Sequence, residues 1–254
     1  SHMITILSPA KSLDFESEMA DLNSTTPAFI EESSQIMSQL KKLSKKKISS
    51  LMKLSKDLTE LNAHRYQLWE PRFDDNESRP ALMTFNGEVY RGIDAKSLSS
   101  EQVNFAQDHL RILSGLHGVL RPLDNIRPYR LEMGTSLPVQ RKKNLYQFWG
   151  SRITDSLNAS LEAVKSKTLV NLASSEYFKA VNFDDINGDV ITPVFKDFKN
   201  GEYKIVMTWA KQARGKMTGF IIRNGITNPE DLKAFDEYQY NDTLSSSTEW
   251  VFVR

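Results

Sequence analysis

Short runs of apolar residues, bounded by turn-forming residues, predict the strands of this protein. Residues 3–7, 168–173 and 250–254 hold apolar side chains in close succession, which is typical of strands buried in a sheet. Residues 80–85 form a weaker candidate of the same kind. We therefore expect a β-sheet to which both ends of the chain contribute.

The clearest local signal is a β-hairpin in the second half of the chain. Residues 190–198 and 203–209 are rich in β-branched and aromatic side chains, and Lys199-Asn200-Gly201-Glu202 separates them. Asn-Gly suits the positive φ angles that a tight hairpin turn requires. With this hairpin the sequence predicts at least five or six strands.

Apolar positions at three- and four-residue spacing predict helices between the strands. A helix over residues 27–43 is followed by a close pair over 48–55 and 58–69. A serine and an asparagine cap two further helices, over 99–113 and 144–165. These helices are expected to cover both faces of a mixed sheet.

Residues 114–143 predict a long loop, because glycines and prolines recur there among the apolar side chains. The chain shows no internal repeat and no low-complexity linker. We predict an α/β (α+β) protein, a mixed β-sheet flanked by helices, that forms one domain over residues 3–254. Ser1-His2 before Met3 is typical of residues left by a cleaved affinity tag.

Composition narrows the class of protein. The chain has 254 residues, 39% of them hydrophobic, which is enough for a sizeable core, and it has no cysteine. The lack of cysteine excludes disulfides, Cys-based zinc sites and redox chemistry at a thiol. Neither a membrane-spanning run nor a signal-peptide pattern is present. We therefore expect a cytoplasmic protein with no membrane partner, and a monomer is favoured.

Charge is unevenly distributed although the net charge is only +1. Residues 41–56 hold seven lysines and no acidic residue, whereas residues 14–32 hold six acidic residues and no Lys or Arg. The lysine run overlaps the predicted helix pair, which faintly resembles a helix-hairpin-helix. Such a module offers backbone N–H groups and lysines to duplex phosphates. The usual hairpin glycines are absent, so a solvated lysine-rich surface is the alternative.

A second group of basic residues lies in the predicted long loop. Arg121, Arg127 and Arg130 occur in turns bounded by Pro and Gly, where fixed guanidinium groups would suit phosphate or carboxylate recognition. Tyr129 offers a ring that could stack on a base. The alternative is that these arginines hold the loop in place through acidic residues within it.

Further candidates lie near predicted strand ends and helix starts. Strand ends are where α/β proteins place ligand sites, so Lys11 and Asp14, and likewise Glu88 and Arg91, could line an enzyme pocket. Turn chemistry is the alternative for both pairs.

The segment after residues 168–173 begins with two serines and continues through Glu176 to Lys179. The start of a helix there could bind an anion or could simply be capped. Residues 210–223 form a fourth basic element, with Lys211, Arg214 and Lys216.

Standard catalytic and metal-binding signatures are missing. His64, His109 and His117 form no H-x-x-x-H or H-x-H pair, and there is no G-x-S-x-G, Walker or G-x-G-x-x-G motif. We therefore predict no metal site and no cofactor.

Seven sequence blocks together are similar to the bacterial YaaA peroxide-stress family, and they run in order through most of residues 3–254. The blocks are Ser8-Pro-Ala-Lys-Ser-Leu-Asp14, Phe85-Asn-Gly-Glu-Val-Tyr90, Leu113-Ser-Gly-Leu-His-Gly-Val-Leu-Arg-Pro-Leu-Asp124, Pro128-Tyr-Arg-Leu-Glu-Met-Gly134, Leu145-Tyr-Gln-Phe-Trp-Gly150, Asn171-Leu-Ala-Ser-Ser-Glu-Tyr-Phe178 and Lys211-Gln-Ala-Arg-Gly-Lys-Met217.

The resemblance implies a cytoplasmic protein induced by hydrogen peroxide that limits damage by lowering free iron. It also implies an α/β fold with a positively charged cleft, a helix-hairpin-helix-like element, and binding to duplex or branched DNA. Carried over to this chain, the phosphate-binding candidates are Lys11, Lys53, Lys56, Arg65, Arg91, Arg121, Arg127, Arg130, Lys179, Lys211, Arg214 and Lys216.

Three hypotheses follow. The first is a DNA-binding stress protein that contacts phosphates largely independently of sequence. The second is an enzyme acting on a nucleobase, nucleoside or nucleotide, with Lys11, Asp14, Glu88 or Glu176 as the weak catalytic candidates. The third is a direct iron chelator, which no residue spacing supports.

Overall fold

The computed structural model describes residues 2–254, and its strands are short apart from β9. They are β1 (Ile4–Leu7), β2 (Ser12–Leu13), β3 (Arg79–Pro80), β4 (Phe85–Asn86), β5 (Leu110–Ser114), β6 (Gly118–Leu120), β7 (Asn125–Ile126), β8 (Thr168–Leu172), β9 (Asp189–Lys199), β10 (Glu202–Lys204), β11 (Gln239–Tyr240) and β12 (Glu249–Val253).

Helices occupy most of the remaining ordered segments. They are α1 (Ile30–Lys42), α2 (Lys45–Met52), α3 (Lys56–Leu68), α4 (Ala81–Thr84), α5 (Glu88–Ile93), α6 (Ser100–His109), α7 (Leu145–Trp149), α8 (Arg152–Ala163), α9 (Ser175–Phe178) and α10 (Met207–Asn224), with 3₁₀ turns at Ala95–Ser97, Phe183–Asp185 and Pro229–Ala234.

Eight strands form one mixed sheet, which confirms the predicted fold class. Its order is β11-β12-β9-β8-β1-β5-β6, and β10 pairs with β9. The inner strands β5, β1, β8, β9 and β12 run parallel, whereas β6, β10 and β11 pair antiparallel. β1 is buried along its whole length at the middle of the sheet, which explains its continuous apolar sequence. Strands from both ends of the chain lie in this sheet, as expected.

The predicted hairpin is confirmed, but its second strand is shorter than predicted. Asn200 and Gly201 have φ angles of 53° and 83°, as an Asn-Gly turn requires. β10 ends at Lys204, and residues 207–209 begin α10 instead of continuing the strand. Pairing stops at Lys204, opposite Asp197.

The strand predicted over residues 80–85 is wrong, because this segment coils into the single turn of α4. The N–H groups of Ala81 and Leu82 donate to the carbonyls of Asp124 and Pro122, and the Thr84 hydroxyl donates to the Pro80 carbonyl. All four residues of α4 are buried. A fully buried helical turn has no polar face, so its apolar sequence does not differ from that of a strand.

Two predicted helices also needed correction. The helix that begins after Ser99 ends at His109, and Leu110–Ser114 is β5, a strand paired with β1. The predicted loop over 114–143 therefore contains the end of β5 as well as β6 and β7. The helix predicted over 144–165 is interrupted at Gly150, whose φ of 53° separates α7 from α8.

The helices pack so that the sheet is covered and the basic segments are held in place. α6 packs against β1 and β5, α8 against β6, and α10 against β9. α10 also packs closely along α5, because Gly215 lets the Val89 carbonyl approach its backbone. No helix in residues 2–254 is long and apolar enough to cross a membrane.

Candidate functional site

The carboxyl ends of β1 and β8 meet at one edge of the sheet, because these parallel strands are neighbours. Ser8 follows β1 and Ser174 follows β8. The Ser174 N–H donates to the Ser8 hydroxyl at 2.8 Å, and the two hydroxyl oxygens lie 3.2 Å apart. This bond engages the N–H of Ser174, the residue that precedes α9, and α9 itself is a single short turn.

A basic cluster lies beside this edge, and we define it as Lys11, Arg65 and Arg130. The Lys11 ammonium is 3.2 Å from the Glu132 carboxylate, and the Arg130 guanidinium is 3.6 Å from the same oxygen. Arg65 comes from the last turn of α3. The next residue on that helix, Tyr66, donates to the Arg130 carbonyl at 2.5 Å, which ties α3 to the loop that carries Arg130.

The electrostatics of the cluster favour an added anion. Burial lowers the pKa of Arg65, and the nearby positive charge of Arg130 lowers it further. Lys11 and Arg130 share the single carboxylate of Glu132. Arg65, whose guanidinium donates to the Asn62 side chain at 3.4 Å, adds a third cation beside Arg130, so the group carries an excess of positive charge. The Arg130 Nε is buried and has no hydrogen-bond partner among the described residues. A phosphate or carboxylate would supply the missing negative charge.

Two of the arginines predicted beside Arg130 are engaged elsewhere. The Arg121 guanidinium donates to Asp124 at 2.9 Å and to the Thr26 carbonyl. Arg127 is buried and lies 3.0 Å from both carboxylate oxygens of Asp75. These contacts fit the alternative in which the arginines hold loops together, although for Arg127 the partner lies outside its own loop. Arg130 is the member of the three that reaches the basic cluster.

The ring of Tyr129 is not the stacking surface that the sequence suggested. It is buried, and its hydroxyl lies 2.8 Å from the Ser114 hydroxyl at the end of β5. Its edge also contacts the buried ring of His117. Tyr129 therefore packs in the core beneath its own loop, where a base could not reach its face.

The acidic candidates are held as ionised carboxylates. The hydrogen bond from Lys96, followed by bonds from Ser17, lowers the pKa of Asp14 well below its usual range. Hydrogen bonds from Gln212 and Arg91 lower the pKa of Glu88. Neither group is tuned toward neutral pH, which is what a general acid or base would need.

Glu176 has a structural partner as well. Its carboxylate accepts from the Gly134 N–H at 2.9 Å, and its carbonyl accepts from the Tyr146 hydroxyl. These bonds join α9 to the loop that carries Arg130 and to α7. Lys179 lies at the exposed end of α9 and forms no ion pair with the described residues.

The segments around Asp14 and Glu88 are brought together, as a pocket would require. β2 pairs with β4 through Ser12 and Asn86. Next to this pair an open cavity of about 230 Å³ has Phe85 and Tyr90 in its wall and Asp14, Arg91 and Lys96 among its polar lining. The contact of Asp14 with Lys96, at 2.8 Å, was not apparent from the sequence.

The predicted helix pair is α2 and α3, joined by Lys53, Leu54 and Ser55. Lys53 has a φ of 54°, so a lysine adopts the left-handed conformation that glycine usually supplies. The Ser55 hydroxyl caps α3 by accepting from the Leu58 N–H. We call α2, α3 and this connection the helical hairpin.

The seven lysines of residues 41–56 are all exposed, and few of them have partners. Lys45 pairs with Glu60 at 2.7 Å, and Lys41 donates to the Trp69 carbonyl. Among the described residues the others form no ion pair: Lys42, Lys46, Lys47, Lys53 and Lys56. The hairpin therefore presents uncompensated positive charge to solvent.

The basic residues of α10 are divided among different surroundings. Lys211 is exposed near Glu88, while Lys216 pairs with Glu237 at 2.9 Å. Burial lowers the pKa of Arg214, whose guanidinium makes no hydrogen bond or ion pair with residues 2–254. Lys216 is therefore engaged by Glu237 and does not belong to the basic cluster.

Glu132 was already predicted, with Asp124, as an acidic partner of the loop arginines, and its contact with Arg130 fits that alternative. Its contact with Lys11 was not predicted, because the two residues are 121 positions apart and no local sequence signal joins them. Within residues 2–254, no group of three or more His, Cys, Asp or Glu side chains is placed to hold a metal ion.

The fold and this site define a mixed α/β protein with a cluster of cations beside the carboxyl ends of its parallel strands. The family described as "Peroxide stress protein YaaA" matches residues 3–244. A UPF0246 protein of Saccharophagus degradans is 50% identical over 254 residues, covering 99% of both chains. A UPF0246 protein of Idiomarina loihiensis is also 50% identical, covering 99% of this chain and 98% of its own. The chain belongs to the YaaA peroxide stress protein family, as the sequence blocks indicated.

Proposed function

We propose that this protein protects DNA during peroxide stress by binding it, duplex or branched and largely independently of sequence. The basic cluster and the helical hairpin form the two sides of a positively charged cleft that contacts phosphates. The observation that carries the proposal is that Lys11 and Arg130 share one carboxylate, that of Glu132, while Arg65 lies beside Arg130 at the end of α3. The same helix, α3, extends from the exposed Lys56 at its start to Arg65 in its last turn.

The two sides are suited to different parts of the phosphate backbone. Arginines in a partly buried cluster offer directed hydrogen bonds, whereas exposed lysines on the helical hairpin act as mobile point charges. Neither feature reads base edges, so the binding is independent of sequence. Lysines on the phosphates displace the counterions of DNA, and iron bound as a counterion would be displaced with them. This displacement is a physical route by which binding limits iron-driven damage.

A matched pair of double variants tests the proposal. Lys53→Gln/Lys56→Gln removes two charges from the helical hairpin. Lys165→Gln/Lys167→Gln removes two exposed lysines that precede β8, at the opposite edge of the sheet. Each pair also contains one lysine in the left-handed backbone conformation, because Lys53 and Lys165 have φ angles of 54° and 55°.

The measurement is the fluorescence anisotropy of labelled duplex and four-way-junction DNA at constant salt. We expect the Lys53/Lys56 variant to bind both DNAs more weakly than the wild type, and the Lys165/Lys167 variant to bind as the wild type does. Equal losses in the two variants would show only a general effect of net charge. Unchanged binding in the Lys53/Lys56 variant would exclude the helical hairpin from the interface.

The cavity beside β2 and β4 supports a second candidate, an enzyme acting on a nucleobase, nucleoside or nucleotide. Its aromatic wall and charged rim are of the kind that small-molecule sites use. The lowered pKa values of Asp14 and Glu88 weigh against acid–base catalysis by either. Asp14 lines this cavity. If Asp14→Ala abolishes protection against peroxide while DNA affinity is unchanged, the enzyme is favoured over the binding protein.

A further inference from the structure

The β9–β10 hairpin and the start of α10 expose an unusual number of large apolar side chains. Phe198 is 60% exposed, Ile205 53% and Met207 63%, and Tyr203 and Trp209 are each 41% exposed. We call these five residues the hairpin patch. Single exposed apolar residues are ordinary, but a group confined to twelve consecutive positions marks a surface that contacts something else.

Two of the three aromatic rings of the patch are paired, and the third is linked to them through Arg254. Phe198 and Tyr203 are directly opposite each other across the two strands, with ring centroids 5.2 Å apart. The Phe198 N–H donates to the Arg254 carbonyl at 2.9 Å. The Arg254 guanidinium in turn lies 5.4 Å from the centre of the Trp209 ring and is fixed by Asp197 at 2.7 Å.

The charges around the patch are predominantly positive. Both nearby carboxylates are neutralised, Asp197 by Arg254 and Glu202 by Lys204. Two further cations of the hairpin, Lys196 and Lys199, form no ion pair among the described residues. If a second copy of this protein docked patch against patch, like charges would meet and repel. A polyanion that also has apolar faces is complementary to the hairpin patch in both charge and polarity.

The pairing of β9 fixes where the hairpin lies. β12 occupies one edge of β9 from Thr192 to Lys196, and the Phe198 N–H bonds toward β12 as well. β10 must therefore use the edge on which β8 lies. β8 pairs only as far as Ile191, whereas β10 pairs with residues 197–199. The hairpin consequently extends past the carboxyl end of β8, which is the edge of the sheet where the basic cluster lies.

We propose that the hairpin patch stacks on unpaired bases of the DNA that the basic cluster and the helical hairpin hold by its phosphates. This inference rests on the proposed function and adds to it a contact with bases. Every base has an aromatic face, so stacking tolerates any sequence and needs only exposed rings beside cations. The patch supplies both features at the edge of the proposed cleft. Bases become available to it wherever a duplex is locally open.

Two double variants separate stacking from general apolar contact. Phe198→Leu/Tyr203→Leu removes two rings but keeps apolar side chains on the hairpin. Ile205→Ser/Met207→Ser removes apolar area and keeps all three rings. Each variant, and the wild type, is titrated with a duplex and with the same duplex carrying a central bubble of unpaired bases. Sedimentation with phosphatidylserine–phosphatidylcholine vesicles provides a separate test for membrane binding.

We expect the ring variant to bind the bubble about fivefold to tenfold more weakly than the wild type, with duplex affinity changed by less than about twofold. The Ile205/Met207 variant should resemble the wild type on both DNAs. Unchanged bubble affinity in the ring variant, with duplex binding intact, would overturn this inference alone. Vesicle binding that is lost in the Ile205/Met207 variant would overturn it in favour of a membrane. Failure of the wild type to bind either DNA would contradict the proposed function itself.

Discussion

The Lys11 ammonium lies 3.2 Å from the Glu132 carboxylate, and this ion pair joins the loop after β1 to the loop that carries Arg130. Glu132 also lies 3.6 Å from the Arg130 guanidinium, so one carboxylate holds both cations. If the proposed function is correct, we expect this carboxylate to compete with a phosphate for the same two cations.

Replacing Glu132 by Gln should strengthen DNA binding. The amide keeps the shape of the side chain but removes the negative charge that opposes phosphate, so affinity should rise about twofold to tenfold. Glu162→Gln, an exposed acidic residue of α8, is the matched control for net charge and should have little effect. Weaker binding by the Glu132 variant would show that the carboxylate assists the ligand instead of competing with it.

Arg127→Ala should lower the melting temperature by several degrees without weakening the DNA contact. Arg127 is buried, so its removal leaves a cavity and takes hydrogen bonds from Asp75 and from the Arg72 carbonyl. Arg91→Ala removes an exposed ion pair with Glu88 and should cost much less stability. Thermal unfolding followed by circular dichroism measures both. A specific loss of DNA affinity in folded Arg127→Ala would place Arg127 at the interface after all.

The buried ring of His117 should make the fold sensitive to mild acid. Burial lowers its pKa to about 3 in the folded protein, against about 6.5 in the unfolded chain. Between these pH values the unfolded chain binds a proton that the folded protein does not. The stabilisation is therefore complete above about pH 6.5 and falls by about 1.4 kcal/mol per pH unit below it.

His117→Asn isolates this contribution, because every carboxylate is common to both chains. The Asn side chain can still hydrogen-bond to Ser33, which lies 3.3 Å from the His117 Nδ1. Urea unfolding from pH 7 to pH 4.5 should give a flatter pH dependence for the variant. Parallel curves for the two chains would contradict the account of a neutral buried histidine.

Gly215→Ala should destabilise the contact between α5 and α10 by about 1–3 kcal/mol. A Cβ atom at this position would overlap the backbone carbonyl of Val89, which cannot move without shifting α5. Gly219→Ala on the same helix is the milder comparison, since there the new methyl group meets first the Arg223 guanidinium, a side-chain group that can shift at the expense of its hydrogen bonds to Ile93, Asp94 and Ser97. Chemical unfolding compares the two variants. Equal stability would mean that α5 moves freely against α10.

Sequence patterns predicted the elements of this fold that are determined by neighbouring residues in the chain. The hairpin turn depends on Asn200-Gly201, and both residues have the positive φ angles that this pair favours. β5 was missed because a short buried strand directly after a helix has the same apolar residues as a longer helix, and only its pairing with β1 distinguishes them.

The sequence predicted which residues could belong to the candidate site. It did not predict which of them lie together in the folded protein. Basic residues in and near the sequence blocks that resemble the family included Lys11 and Arg130, yet the same reasoning included Arg127, which is buried against Asp75. Whether an arginine is free or paired depends on carboxylates that are distant in sequence. The hairpin patch was hidden for a related reason, since alternating apolar residues predict a strand but do not show which face remains uncovered.

The most direct test of DNA binding through the basic cleft is the salt dependence of duplex affinity, measured for the wild type, Lys11→Gln, Lys56→Gln and the double variant. We predict that the wild-type affinity falls steeply with salt, and that each single variant lowers the log–log slope by about one and the double variant by about two. That result would mean that one bound DNA contacts both the basic cluster and the helical hairpin. A slope near zero, or slopes identical in all four proteins, would contradict the account.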